Sequence, residues 1–131
     1  MKDLLYNDFQ DSVDELLMRH RSILDVLTKY QESQTRVNRA IVKAVTACGC
    51  IEINSKKQVY SNDISLQELK DFMDTHLKGN ICSNCRDVIE KELGNNLFYM
   101  AALCNIVDIS MYDVMLKEYE KIKTLGVFNM K

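Results

Sequence analysis

The chain has 131 residues, 47% of them apolar and 27% charged, with a net charge of −2. That is enough for one domain, residues 1–131, with a core that needs no disulfides. The near-neutral balance argues against broad electrostatic capture of nucleic acid or of an anionic membrane, and no apolar run approaches the roughly 20 residues of a spanning helix. There is no proline and only four glycines, so little interrupts helices, and composition points to an all-α chain. The N-terminal stretch "MKDLLYNDFQDSVDELL" is acidic and amphipathic, unlike a signal peptide. A cytoplasmic location follows as the expectation, with cysteines kept as thiols or metal ligands.

In chain order, Leu5, Phe9, Val13, Leu16, Leu17, Leu24 and Leu27 recur at helical spacing and predict a first helix from Leu5 to about Tyr30. "QESQ" marks a weak point. A second helix follows with Val37, Ile41, Ala44, Val45 and Cys48 on one face, closing at Gly49. "CIEINSKKQVYSND" is polar and partly β-prone, a connector with room for a short strand. "SLQELKDFMDTHL" predicts a third helix, with Ser65 and Glu68 as a capping box and Gly79 as its close. A fourth runs from about Ser83 to Val107. A fifth starts at a Ser110 cap and stops before Gly126. The pattern is a helical bundle with one elaborated connection, residues 48–85.

Four of the five cysteines fall in two close pairs that bracket this connection. "ACGCIE" holds Cys48 and Cys50, and "ICSNCR" holds Cys82 and Cys85, giving C-x-C, 31 residues, C-x-x-C. Two chelating pairs deliver the four soft thiolates that tetrahedral zinc prefers. Gly49 permits the tight turn inside the first pair, and the second pair opens a helix, where free amides favour thiolates. A site closed by four thiolates has no open position, so the zinc would be structural, stapling the connector to the bundle. A redox pair is the competing reading of "CSNC", but no βαβ pattern surrounds it. His76 is an alternative ligand, though a solvated histidine near a helix end is the simpler reading. Cys104, inside "MAALCNIV", reads as a small packed hydrophobe.

The fourth helix, "EKELGNNLFYMAALCNIVDIS" followed by "MYDVMLKEYEKIK", resembles the MazG-like nucleoside triphosphate pyrophosphohydrolases, whose helix typically reads "EELGDVLFYLAALAN.LGID". "QDSVDELLM" is similar to the family's "QEEVGELAE" segment. The resemblance implies an all-α bundle, dimeric or higher, with an E-E-x-x-E motif on one helix and E-x-x-D on another. Those motifs hold the magnesium that activates water for pyrophosphate release. Carried over, they fall on Asp11, Ser12 and Glu15, and on Glu92 and Asn95. Glu15 and Glu92 match and are the candidate catalytic carboxylates. Asp11 is shortened, and two carboxylates have become Ser12 and Asn95, neutral groups that leave the charge of metal and phosphates less balanced.

Two functional classes lead, and a redox-sensing thiol switch that shares the cysteines is a third reading. One is a zinc-binding, non-catalytic module that keeps the fold to bind a nucleotide or a partner. The other is a magnesium-dependent pyrophosphohydrolase using Asp11, Glu15, Glu92 and Asn95. A homodimer is expected of a short four-helix unit. Arg36, Arg39 and Lys43 form a basic stripe that reads as an exposed helix face, or as phosphate contacts in a nucleotide site. Phe98, Tyr99 and Met100 read as core or dimer interface.

Overall fold

A computed structural model describes residues 2–125. Helix α1 spans Lys2–Leu16 and α2 spans Ile23–Lys43. The break therefore falls at Leu17–Ser22, and Gln31–Gln34 lies inside α2, contrary to the expected division near Tyr30. Ser22 starts α2 as its cap: its Oγ accepts the Leu24 N–H at 3.3 Å. His20 sits in the left-handed region at φ 57°. Arg21 folds back, donating to the Leu17 carbonyl and to the Asp14 carboxylate, the latter at 2.9 Å. The apolar period runs in phase through this turn, so periodicity alone hides it. The polar "QESQ" is harmless to the helix because Ser33, 1% exposed, is satisfied. Its Oγ donates to the Tyr30 carbonyl at 2.6 Å and accepts from Asn96 Nδ2 at 3.0 Å.

The end of α2 widens into a π turn, Ala44–Cys48, closed by Gly49 at φ 81°. Strand β1, Ile51–Ile53, then pairs antiparallel with β2, Leu77–Gly79, in the register Ile51↔Gly79, Glu52↔Lys78, Ile53↔Leu77. This hairpin makes the chain mostly α rather than all-α. Between the strands, α3 (Leu66–Phe72) begins as expected, with Ser65 Oγ accepting the Glu68 N–H at 3.3 Å. It stops early, however, and Gly79 belongs to β2 instead of closing it. The paired hydrogen bonds of Gln58 to the backbone of Asp74, 2.7 and 2.8 Å, hold the chain in an extended path after α3.

Helix α4 spans Ser83–Ile106 and α5 spans Met111–Leu125; the expected stop at Gly126 lies outside the described residues. The Ser110 cap is present, its Oγ accepting the Asp113 N–H at 3.2 Å. α2 lies along α4, α1 packs across α4, and α5 packs on α1. Val13, Val26, Ala101, Ala102 and Met111 form the buried core, flanked by Phe9, Phe98, Met100 and Cys104. Alanines on α4 let the neighbouring backbones approach. Gln10, 8% exposed, locks α1 to the α4–α5 turn: Nε2 donates to the Ile109 carbonyl at 2.7 Å and Oε1 accepts the Met111 N–H at 2.8 Å. This core lies toward the C-terminal end of α4, and the helix runs roughly 24 Å from Cys85 to Ala101 at 1.5 Å per residue.

Candidate metal centre

At the opposite end of the α2–α4 pair, the Sγ atoms of Cys48, Cys50, Cys82 and Cys85 all lie within 4.8 Å of one another. Both pairs are positioned by backbone geometry. The left-handed turn at Gly49, whose N–H donates to the Ala44 carbonyl at 2.9 Å, reverses the chain between Cys48 and Cys50. Cys82 is the N-cap of α4 and its Sγ accepts the Cys85 N–H at 3.4 Å. Cys85 follows one turn on. The β1–β2 hairpin ties the two segments together, with Gly79 paired to Ile51 and lying close against Cys50. A Cβ there would sit 2.6 Å from the Cys50 carbonyl oxygen, and its φ is 92°.

The spacing suits a metal ion. Four thiolates about 2.3 Å from a tetrahedral centre stand about 3.8 Å apart, and the Cys48 and Cys82 sulfurs are 3.8 Å apart. The site is also electrostatically asymmetric. The Cys85 N–H, helped by the Cys85 thiol, lowers Cys82 to about 7. Cys85, which donates toward that sulfur, is raised to about 12. For Cys48 the Cys50 N–H, helped by the Cys85 thiol, favours the anion, but the Cys82 and Cys50 sulfurs together with desolvation outweigh them and push the thiol up. Cys82 is thus poised to ionise before Cys48 and Cys85, and a bound cation would favour the anionic form of these sulfurs. Cys104 stands apart, half-buried against the core, with burial raising its pKa.

The carboxylate candidates form no such group of three or more close ligand atoms among the described residues. Asp11, Ser12 and Glu15 are exposed on α1; on α4, Glu92 is half-buried and Asn95 exposed. Asp11 borders a polar hollow with Asn105 and Asp108. Glu92 lies 13 residues before Asn105 on α4, roughly 20 Å along the axis. Among the described residues, the four cysteines are the group of three or more His, Cys, Asp or Glu ligands drawn together. His76 stays outside that group. Its Nε2 is buried without a hydrogen-bond partner, not solvated as the sequence suggests. Arg36, Arg39 and Lys43 are exposed, and Arg36 Nε meets Glu32 at 3.4 Å. Phe98 and Met100 pack on the core, and Tyr99 stacks edge-on with Phe98 at 5.2 Å.

Sequence reasoning missed Gly79 as a support of the site. The available signal was position: the β-prone "IEI" directly follows one cysteine pair, and "LKG" ends three residues before the other. In class, the molecule is a mostly α-helical chain with a four-cysteine cluster able to hold a metal ion. No single described helix is long and apolar enough to cross a membrane. No family model, no curated protein and no solved structure matches the chain.

Proposed function

We propose that this is a zinc-stapled, cytoplasmic helical protein of MazG-like descent. In this reading its magnesium site is degenerate and it serves as a non-catalytic nucleotide-binding or interaction module. The observation that carries the metal assignment is the gathering of four Sγ atoms within 4.8 Å. Thiolates in a closed set of four favour zinc over magnesium or calcium, which take oxygen ligands. With every position filled by sulfur, zinc would brace the α2–α4 tip and the hairpin without activating water. The loss of catalysis is supported by the neutral Ser12 and Asn95 and by the distance along α4 that separates Glu92 from the hollow beside Asp11.

The alternative, a magnesium-dependent pyrophosphohydrolase, draws on the packing of α1 against α4, the two helices that carry the motif residues. One experiment separates the readings. Protein purified under reductant is analysed for metal and assayed for pyrophosphate release from nucleoside triphosphates, with magnesium and with manganese, beside Glu92→Ala. About one zinc per chain and no release is the expected result. Release that disappears in Glu92→Ala would establish the enzyme. Metal-free protein with four free thiols and unchanged melting would overturn the zinc staple.

A further inference from the structure

The β1–β2 hairpin leaves an edge of its sheet open beside a groove. The Asn54 N–H donates to the His76 carbonyl at 2.8 Å, and the register sets Glu52 opposite Lys78 and Ile51 opposite Gly79. Bonded and non-bonded pairs alternate along an antiparallel ladder. Asn54–His76 and Glu52–Lys78 are therefore the bonded pairs, and Leu77 and Gly79 turn their main-chain groups away from β1. The Leu77 N–H is taken by Thr75 Oγ1 at 3.2 Å. The Leu77 carbonyl and both main-chain groups of Gly79 meet no partner among the described residues. A lysine often guards such an edge, but Lys78 Nζ is drawn back to the Asp74 carboxylate at 3.1 Å.

Leu77 and Gly79 also border a groove of about 460 Å³ whose far wall is α4. Ile51, 4% exposed, and the half-buried Ile89 lie beneath it, while Arg86 and Glu90, both exposed, stand at its rim. These two charges are one helical turn apart, yet they pair neither with each other nor with any other described residue. A strand edge on one wall, a helix on the other and apolar residues beneath is a layout that takes an extended peptide. We infer that the free edge of β2 takes an added strand from a partner protein, with the alternating pattern apolar–acidic–apolar–basic–apolar. Its apolar side chains enter the groove and its charged ones face the rim. The acidic and basic residues, two apart, span about 6.6 Å of extended chain, against roughly 6 Å between Arg86 and Glu90 along α4. The charges therefore fix the direction of the strand, since the reverse order sets like against like. Such a partner is the one that the interaction module proposed above leaves unspecified. The site rests on that reading and stands apart from the zinc.

The test uses the full chain purified under reductant and a labelled synthetic peptide with that pattern at its centre. Binding is read by fluorescence polarisation, with metal content measured on the same sample. Saturable binding is expected, and exchanging the acidic and basic residues of the peptide should weaken it by about 10-fold. Arg86→Glu combined with Glu90→Lys should reverse that preference, a readout that a misfolded variant does not give. N-methylation of the peptide at the alternate positions whose N–H meets β2 should abolish binding, while methylation at the intervening positions leaves it intact. The Gly79 amide should gain hydrogen-exchange protection when the peptide binds. No binding up to about 1 mM peptide, indifference to the charge exchange, or equal effects of the two methylation patterns would overturn the added strand. Zinc-loaded protein that fails these tests sinks the added strand and leaves the staple standing; metal-free protein that passes them does the reverse.

Discussion

Two glycines at the cysteine cluster show how differently one substitution acts. At Gly49 the backbone is left-handed but nothing occupies the space where a Cβ would go. Gly49→Ala should therefore cost only the conformational penalty, about 1–2 kcal/mol. At Gly79 a Cβ meets both a left-handed φ and the Cys50 carbonyl at 2.6 Å. Gly79→Ala should cost about 2–4 kcal/mol and loosen the metal, measurable by denaturant melts and by competition with a zinc chelator. The thiols set a pH signature in metal-free protein. Cys82 is lowered from 9.0 to about 7, so its contribution is present above pH 9.0 and lost as pH falls through about 7. Cys85 is raised from 9.0 to about 12, so its contribution is present below pH 9.0 and lost as pH rises through about 12. Melting of chelator-treated, reduced protein between about pH 6.5 and 10.5 should peak near pH 9. Cys82→Ser should remove the rise on the acid side. A flat profile in the unmodified chain would show that the sulfurs are not coupled in this way.

Among the elements, α1 is fastened to the α4–α5 turn by one side chain. Gln10 satisfies the backbone at both Ile109 and Met111, while Asn105 Nδ2 donates to the Gln10 carbonyl at 2.9 Å. Gln10→Ala leaves the buried Met111 N–H without a partner and opens a small void, a loss of about 2–3 kcal/mol. Gln10→Glu keeps the acceptor but brings a charge into a buried position and removes the donor to Ile109, so it should destabilise too. Glu15→Ala, at an exposed position, should change stability by no more than about 0.5 kcal/mol. A larger loss, together with lost nucleotide-dependent stabilisation, would argue for the hydrolase reading.

For the molecule as a whole, the organisation is two-ended. The apolar core gathers where α1, α2 and α5 meet the C-terminal half of α4, and the cysteines close the other end. The hairpin strands are three residues each, and along them Ile51 alone is buried. Strands that short are marginal without further support. Chelating the zinc proposed for this cluster should therefore release hydrogen-exchange protection in β1 and β2 first, while residues 98–106 of α4 stay protected until global unfolding. Loss of protection at both ends together would mean that the metal holds the whole fold.

The amino-acid sequence by itself determined the helical class, α4 to within a residue of its ends, the Ser65 and Ser110 caps and the cysteine set. These rest on local rules: helical period, side chains that reach the nearest free amide, and ligand pairs a few residues apart. Only the tertiary structure decided where α1 ends, because Leu24 and Leu27 carry the apolar period past the Leu17–Ser22 turn in sequence yet stand exposed on α2, which buries Val26 instead, and the turn itself is fastened by Arg21. Of the hairpin, the β-prone stretch after Cys50 was legible locally, but its pairing was not, since three-residue strands 23 residues apart carry no period of their own. The placing of the candidate carboxylates relative to one another belongs to the same category. Spacing places Asp11 and Glu15 on one helix and Glu92 on another, but the point at which α1 crosses α4 sets the distance between them. That point was chosen by the packing of Val13 on Ala101 and Ala102 and by the hydrogen bonds of Gln10.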